Sequence, residues 1–464
     1  MAYNSSSMRD SMSREAQPIH WAEHARFALL VALLVVCMLF GGGSRNDIFG
    51  VVIVQCSAVV AAVAALLLPG RYRFTDVRAP MALLAAFAAT IVMQLVPLPP
   101  ELWASLPGHG PFAAAAAAAG VEPVWRPISL TPDLTRASLA GLVVPAAVLT
   151  LFATLPASRT YKLLPILIAA VLLSGLFGVA QIVGGKDSSF YRYAITNNEA
   201  AVGFFSNRNH QAVFLVMGIP MAALWTRTSS IDVRGVPLQR WLAYALIIFL
   251  VPLLVVTGSR AGFALIFVGL GFSWVLARGR KQGTDDRMRL VGNIAAIVIG
   301  ISVIIAAVLL SRAEAITRLF DVAVSEDLRS QNLALVARIA QDFFPWGSGF
   351  GSFDPVFRAY ETDAMLRPSY FNHAHNDLLE LILTGGAPAF IVAIGFIAWT
   401  ASRLWLALRA SPLNPALRFA LLGAAMIVMV LLSSVVDYPL RTPLLMAFFA
   451  LACGWLASCR EDLR

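Results

Sequence analysis

The sequence predicts an all-α polytopic membrane protein with a helical architecture of about twelve transmembrane helices, on three observations. Hydrophobic residues make up 59% of the 464 and charged residues only 13%, where a soluble domain carries roughly 25% charge. Mean hydropathy is +0.75, and apolar runs near the roughly 20 residues needed to cross a bilayer recur along the chain. Arginine and lysine crowd into every second short connection and are sparse in the others, the pattern of topology signals.

The chain opens on a polar, Ser-rich tail, residues 1–25, with no signal-peptide core. Residues 26–464 are expected to form one transmembrane domain. Its spans are placed at 26–43, 48–69, 79–97, 136–155, 161–184, 209–226, 240–257, 261–278, 290–310, 386–408, 416–436 and 442–459. One side collects Arg9, Arg14 and Arg26, then Arg71, Arg73 and Arg78, Arg159 with Lys162, Arg227, Arg234 and Arg240, a basic run from Arg278 to Arg289, and Arg403, Arg409 and Arg418. The rule makes that side cytoplasmic and, with an even helix count, puts both termini there. The net charge of +9 is thereby a topology signal rather than a nucleic-acid footprint. Cys37, Cys56, Cys453 and Cys459 lie in apolar runs without metal or redox spacing and read as small hydrophobes.

The longer connections fall on the other face: 98–135, rich in Pro and Trp with an Ala run suited to a short interfacial helix; 185–208; and the largest, 311–375, between helices nine and ten. Arg312, Arg318, Arg329, Arg338, Arg358 and Arg367 lie in the largest. Cations on the disfavoured side are not topology determinants, so they call for a ligand or a partner.

Five clusters lie towards this face. Ser369–Glu380 holds two of the six histidines, His373 and His375, with Asn372, Asn376, Asp377 and Glu380. Asn376 or Asp377 can cap a helix, the histidines can bind loop carbonyls, and the His-x-His pair suggests zinc only weakly. A histidine before a helix N-terminus is also suited to general-base work, since the positive end of the dipole favours neutral imidazole. His375, nearest the helix start, is the better base and His373 its support. Arg260 follows Thr257-Gly-Ser at a tight reversal, where a fixed fork of donors suits phosphate or pyrophosphate; snorkelling to headgroups is the alternative. Phe204–Gln211 opens a helix, with Asn207 or Asn209 as cap and Arg208 beside an anion-favouring N-terminus. Asp437 either pairs with Arg441 or orients Arg260 or a histidine. Trp346–Phe353 is glycine-rich but lacks the Lys-Ser/Thr of a phosphate loop; a tight turn returning the outer loop to the bilayer fits better.

With Asn207–His210, Thr257–Arg260, Gly347–Phe353 and His373–Glu380 in this order, and Pro97–Pro100 and Trp125–Pro127 before them, the chain resembles the O-antigen ligase and O-antigen polymerase superfamily. The resemblance is strongest over residues 200–385. It implies a GT-C-like, metal-independent, inverting glycosyltransferase of the bacterial inner membrane, with no cofactor. The donor would be a glycan on undecaprenyl pyrophosphate, and the acceptor a hydroxyl of lipid A–core or of a growing polysaccharide on the periplasmic face. The family's essential arginine falls on Arg260, its loop histidine on His375 and its acidic residue on Asp437. Arg312, Arg318 and Arg338 compete for a further phosphate contact, with Arg208, His373 and Asn376 as other substrate-binding candidates. Ligation is placed ahead of polymerisation, and transfer to a protein acceptor shares the same motifs. A transporter or lipid flippase is the reading from another class; it predicts ionisable groups near the bilayer midplane, where this sequence offers little beyond Gln55 and Gln94.

Overall fold

A computed structural model describes residues 6–45, 49–227, 238–277, 324–362, 371–410 and 413–458, most of them helical. The helices are α1 (Ser6–Phe40), α2 (Phe49–Leu67), α3 (Arg78–Met93), α4 (Pro100–Ser105), α5 (Gly110–Ala118), α6 (Pro132–Gly141), α7 (Val143–Ala153), α8 (Ala157–Tyr161), α9 (Leu163–Gly184), α10 (Arg208–Trp225), α11 (Leu238–Val256) and α12 (Arg260–Ala277). They continue as α13 (Val324–Asp342), α14 (Phe353–Tyr360), α15 (Asp377–Arg409), α16 (Pro415–Ser434) and α17 (Pro443–Ser458). The only sheet among the described residues pairs Pro97–Leu98 with Arg126–Pro127, antiparallel.

Among the described residues, eight stretches are long and apolar enough to cross a membrane, counting α6 with α7 and α8 with α9 as single spans; α3 and α17 are shorter apolar helices. Every expected span except 290–310 coincides with a helix; 290–310 lies outside the described residues, so a count of twelve is not established. The expected polar tail, residues 1–25, overlaps α1, which begins at Ser6.

Helix α10 explains the layout. It is less apolar than its neighbours, yet His210–Ala222 are all buried, and it packs against α9, α11, α12 and α16. A helix covered all round is a central one. Its approach to α12 depends on Gly262, where a Cβ would sit 2.5 Å from that of Ala212. Around this centre α16 packs on α17, and α2 on both α1 and α7. Arg26, expected as a topology charge, is 1% exposed. It donates to the carbonyls of Ala65, Leu68 and Thr154, stapling the otherwise unsatisfied C-terminal ends of α2 and α7.

The described part of the largest expected loop, 324–362, is a helical layer with its own apolar core. Val336 and Ile339 of α13, with Phe343 just after it, bury against Phe353, Val356 and Phe357 of α14, and against Ala374 and Leu383. The glycine-rich turn crosses a break in α15, where Gly386 has φ +64° ahead of Pro388. Ser348 N–H donates to Leu383 O (2.9 Å), Gly349 N–H to Thr384 O (3.0 Å), and Ala387 N–H to Pro345 O (2.8 Å). Gln94, past the end of α3, closes the clasp: its amide donates to Trp346 O (3.0 Å) and Thr384 O (2.8 Å) and accepts from Phe350 N–H (3.0 Å). With its N–H groups spent in this way, the turn is a joint and not a phosphate cradle. Leu130 N–H donates to Ser348 O (2.9 Å), tying segment 98–135 to the same layer.

Candidate functional site

The His373–Glu380 segment turns into α15 through a cap. Asn376, extended at φ −154°, accepts from Leu379 N–H (2.9 Å). The side-chain oxygen of Asn376, a substrate-binding candidate, thus takes the capping role that the sequence allowed. His375 sits one residue earlier at φ +51°, a left-handed conformation that costs a non-glycine residue about 1 kcal/mol or more. Its Nδ1 lies 2.8 Å from His373 O. A carbonyl only accepts, so in this contact Nδ1 is the donor and carries a proton. His373 contributes its backbone carbonyl to this contact. The His373 Nδ1 is 3.0 Å from Glu380 Oε1.

Glu380 is 1% exposed and also accepts from Ala374 N–H (2.9 Å) and Arg441 Nη2 (3.1 Å). Arg441 Nε donates to Asp377 Oδ1 (3.3 Å), whose other oxygen accepts from the Ser434 hydroxyl (3.1 Å). Burial works against the Arg441 charge, but Glu380 and Asp377 together push its pKa up. The Asp437–Arg441 pairing offered as one option is therefore not formed. Arg441 belongs to the α15 carboxylates, one helical turn apart on the same face.

Asp437 turns instead towards α10. It is fully buried and accepts from Asn209 Nδ2 (2.6 Å), Asn207 Nδ2 (3.4 Å) and Tyr438 N–H (2.9 Å). His210 Nε2 is 3.7 Å away. Burial alone would push the carboxyl up; the His210 and His375 imidazoles and the Asn209 bond overcome it and hold Asp437 well below the usual carboxylate range. Asn207 caps α10, accepting from Asn209 N–H (2.9 Å), and Arg208 N–H donates to Asn197 Oδ1 (3.0 Å). The Arg208 guanidinium then lies over the next reversal: a Cβ on Gly258 would meet it at 3.5 Å. Gly258, at φ +64°, allows that turn. The Ser259 hydroxyl accepts from Gly262 N–H (3.1 Å), starting α12 at Arg260.

The expected residues divide accordingly. Asp437 and the α10 N-terminus link His375 to Arg208 and to the turn ahead of Arg260. Arg338 lies on α13 beside Tyr360 and Asp342, while Arg312 and Arg318 fall outside the described residues. Sequence reasoning missed Tyr438 and the part of His210 in the cluster, and it named Glu380 and Arg441 without pairing them. Among the described residues, no group of three or more His, Cys, Asp or Glu side chains is arranged to hold a metal ion.

Residues 244–394 match the family model described as O-antigen ligase. Over that stretch, about a third of its length, the chain is similar to the O-antigen ligase and O-antigen polymerase superfamily. No curated protein matches it. For a ligase- or polymerase-type membrane enzyme, the matched stretch carries Arg260, the glycine-rich joint and the His373–Glu380 segment, while Arg208, Asp437 and Arg441 lie outside it. Those three come to the site through the fold.

Proposed function

We propose that this enzyme moves a glycan from undecaprenyl pyrophosphate to an acceptor hydroxyl on the periplasmic face of the inner membrane, with lipid A–core as the acceptor. The observation that carries the reading is the Nδ1 contact of His375. With Nδ1 committed to the His373 carbonyl, Nε2 is the atom that takes the acceptor proton. The acceptor oxygen attacks the anomeric carbon, the bond to the pyrophosphate oxygen breaks on the opposite face, and the configuration inverts. Arg260 and Arg208 supply positive charge to the departing pyrophosphate, with a loop arginine as a third source. Asp437 stabilises the imidazolium that forms on His375. The lipid tails of donor and acceptor stay among membrane lipids beside the helices.

Among the described residues the buried ionisable side chains Arg26, His109, His210, Glu380 and Asp437 sit near helix ends or in the outer layer. This distribution supports surface transfer over transport through the midplane.

The test is transfer by purified protein from a polyprenyl-pyrophosphate glycan to lipid A–core. His375→Ala and Arg260→Ala are each expected to lose about 100-fold or more in rate while the protein still inserts and purifies. Transfer retained by either variant removes the role given to that residue. Deletion followed by surface-glycan analysis separates the acceptors. Lost long lipopolysaccharide with lipid-linked chains remaining means ligation; single repeat units on the core mean polymerisation.

A further inference from the structure

Three of the six histidines converge on one tyrosine. Tyr438, 6% exposed, stands edge-on to His210 with ring centroids 5.1 Å apart and planes at 84°. It packs against His373 at 4.3 Å and lies across His375 at 5.1 Å and 72°. Its backbone N–H also orients Asp437. It lies outside the matched stretch, and no sequence motif singled it out.

The Nδ1 bond of His375 fixes one point of the imidazole. Two aromatic rings pack against it: Phe371 at 5.1 Å and 31°, and Tyr438 at 5.1 Å and 72°. Such packing matters because the backbone at His375 is held in a conformation that its neighbours must enforce. Beneath Tyr438 lies His210, fully buried, with no hydrogen-bond partner on either ring nitrogen. A buried polar ring left in that state costs about 1–3 kcal/mol and calls for an explanation. Its position supplies one: it fills the floor under Tyr438 while keeping a ring nitrogen in electrostatic reach of Asp437.

We propose that Tyr438 is a positioning residue, whose ring sets the plane of the His375 imidazole and holds it in register with Asp437, with His210 as the floor of that arrangement. The proposal rests on the reading of His375 as the base and goes beyond it by assigning what aims that base. The ring does this, so the hydroxyl is dispensable.

Wild type, Tyr438→Phe, Tyr438→Leu and His375→Ala are compared in one transfer assay, with unfolding temperature recorded for each. Tyr438→Phe is expected to keep kcat within about threefold of wild type. Tyr438→Leu is expected to lose about 100-fold in kcat, the scale of a misplaced catalytic group, with donor KM within about threefold. Should the leucine variant fail to fold, Tyr438→Met, longer and more adaptable, takes its place with the same expectation. The proposal is overturned if the leucine or methionine variant keeps kcat within about threefold, if its loss lies in KM instead, or if Tyr438→Phe falls as far. An inactive His375→Ala beside an active Tyr438→Leu removes this proposal alone. An active His375→Ala removes the base assignment and this proposal with it.

Discussion

At the scale of single residues, the site is governed by where protons and charges are placed. Asp437 is the sharpest case, because its carboxyl is held below its ordinary range. A depressed carboxylate contributes stability that is fully present above its unfolded value, near 3.9. That contribution is lost as pH falls through the lower folded value. Asp437→Asn is therefore expected to flatten the acid-side decline in unfolding temperature below about pH 4, read by thermal unfolding in detergent; an unchanged decline would mean the charge is not held as described. Arg441 gives a second prediction. Arg441→Ala leaves Glu380 buried without its guanidinium partner, and is expected to cost about 3 kcal/mol. Adding Glu380→Gln should recover part of that loss, as the double-mutant comparison of unfolding free energies would show. Sequence made His375, Arg260 and Asp437 legible as residues of interest, since polar side chains at helix ends stand out in an apolar chain. It left their partners illegible: Asp437 and Arg441 are four residues apart, yet one turns to α10 and the other to α15.

Among the elements, the clearest lesson lies in the connection between α13 and α14. Apolar periodicity located α2, α9, α11 and α16, because a bilayer-spanning run needs no knowledge of its neighbours. The glycine-rich segment 346–353 was legible as a turn but not as a joint, because its purpose depends on Gln94, more than two hundred residues earlier. A lone polar residue near the end of an apolar helix looks incidental until its three backbone partners are seen. Gln94→Leu strands at least Trp346 O and Phe350 N–H and is expected to destabilise the protein by at least about 2 kcal/mol. The loss should appear as faster amide exchange across both the joint and the first turns of α15. Exchange quickened at α3 alone would refute the clasp.

Over the whole molecule, the residues that meet at the site are scattered: Arg208 and Asn209 on α10, Arg260 on α12, His373 and His375 ahead of α15, Asp437 and Arg441 between α16 and α17. No contiguous segment holds them, and this explains why a family match over 244–394 captures some and misses others. The α16–α17 pair carries a further implication for biogenesis. Synthesis and insertion run from the N-terminus, so Arg208, Arg260 and His375 are all made before Asp437, Tyr438 and Arg441. Throughout that interval the carboxylates of α15 await their arginine and the histidines await the ring between them. A chain interrupted before its last hairpin can sit in the membrane with most of its polar residues present and still be inert, so competence arrives in one late step with the final two helices.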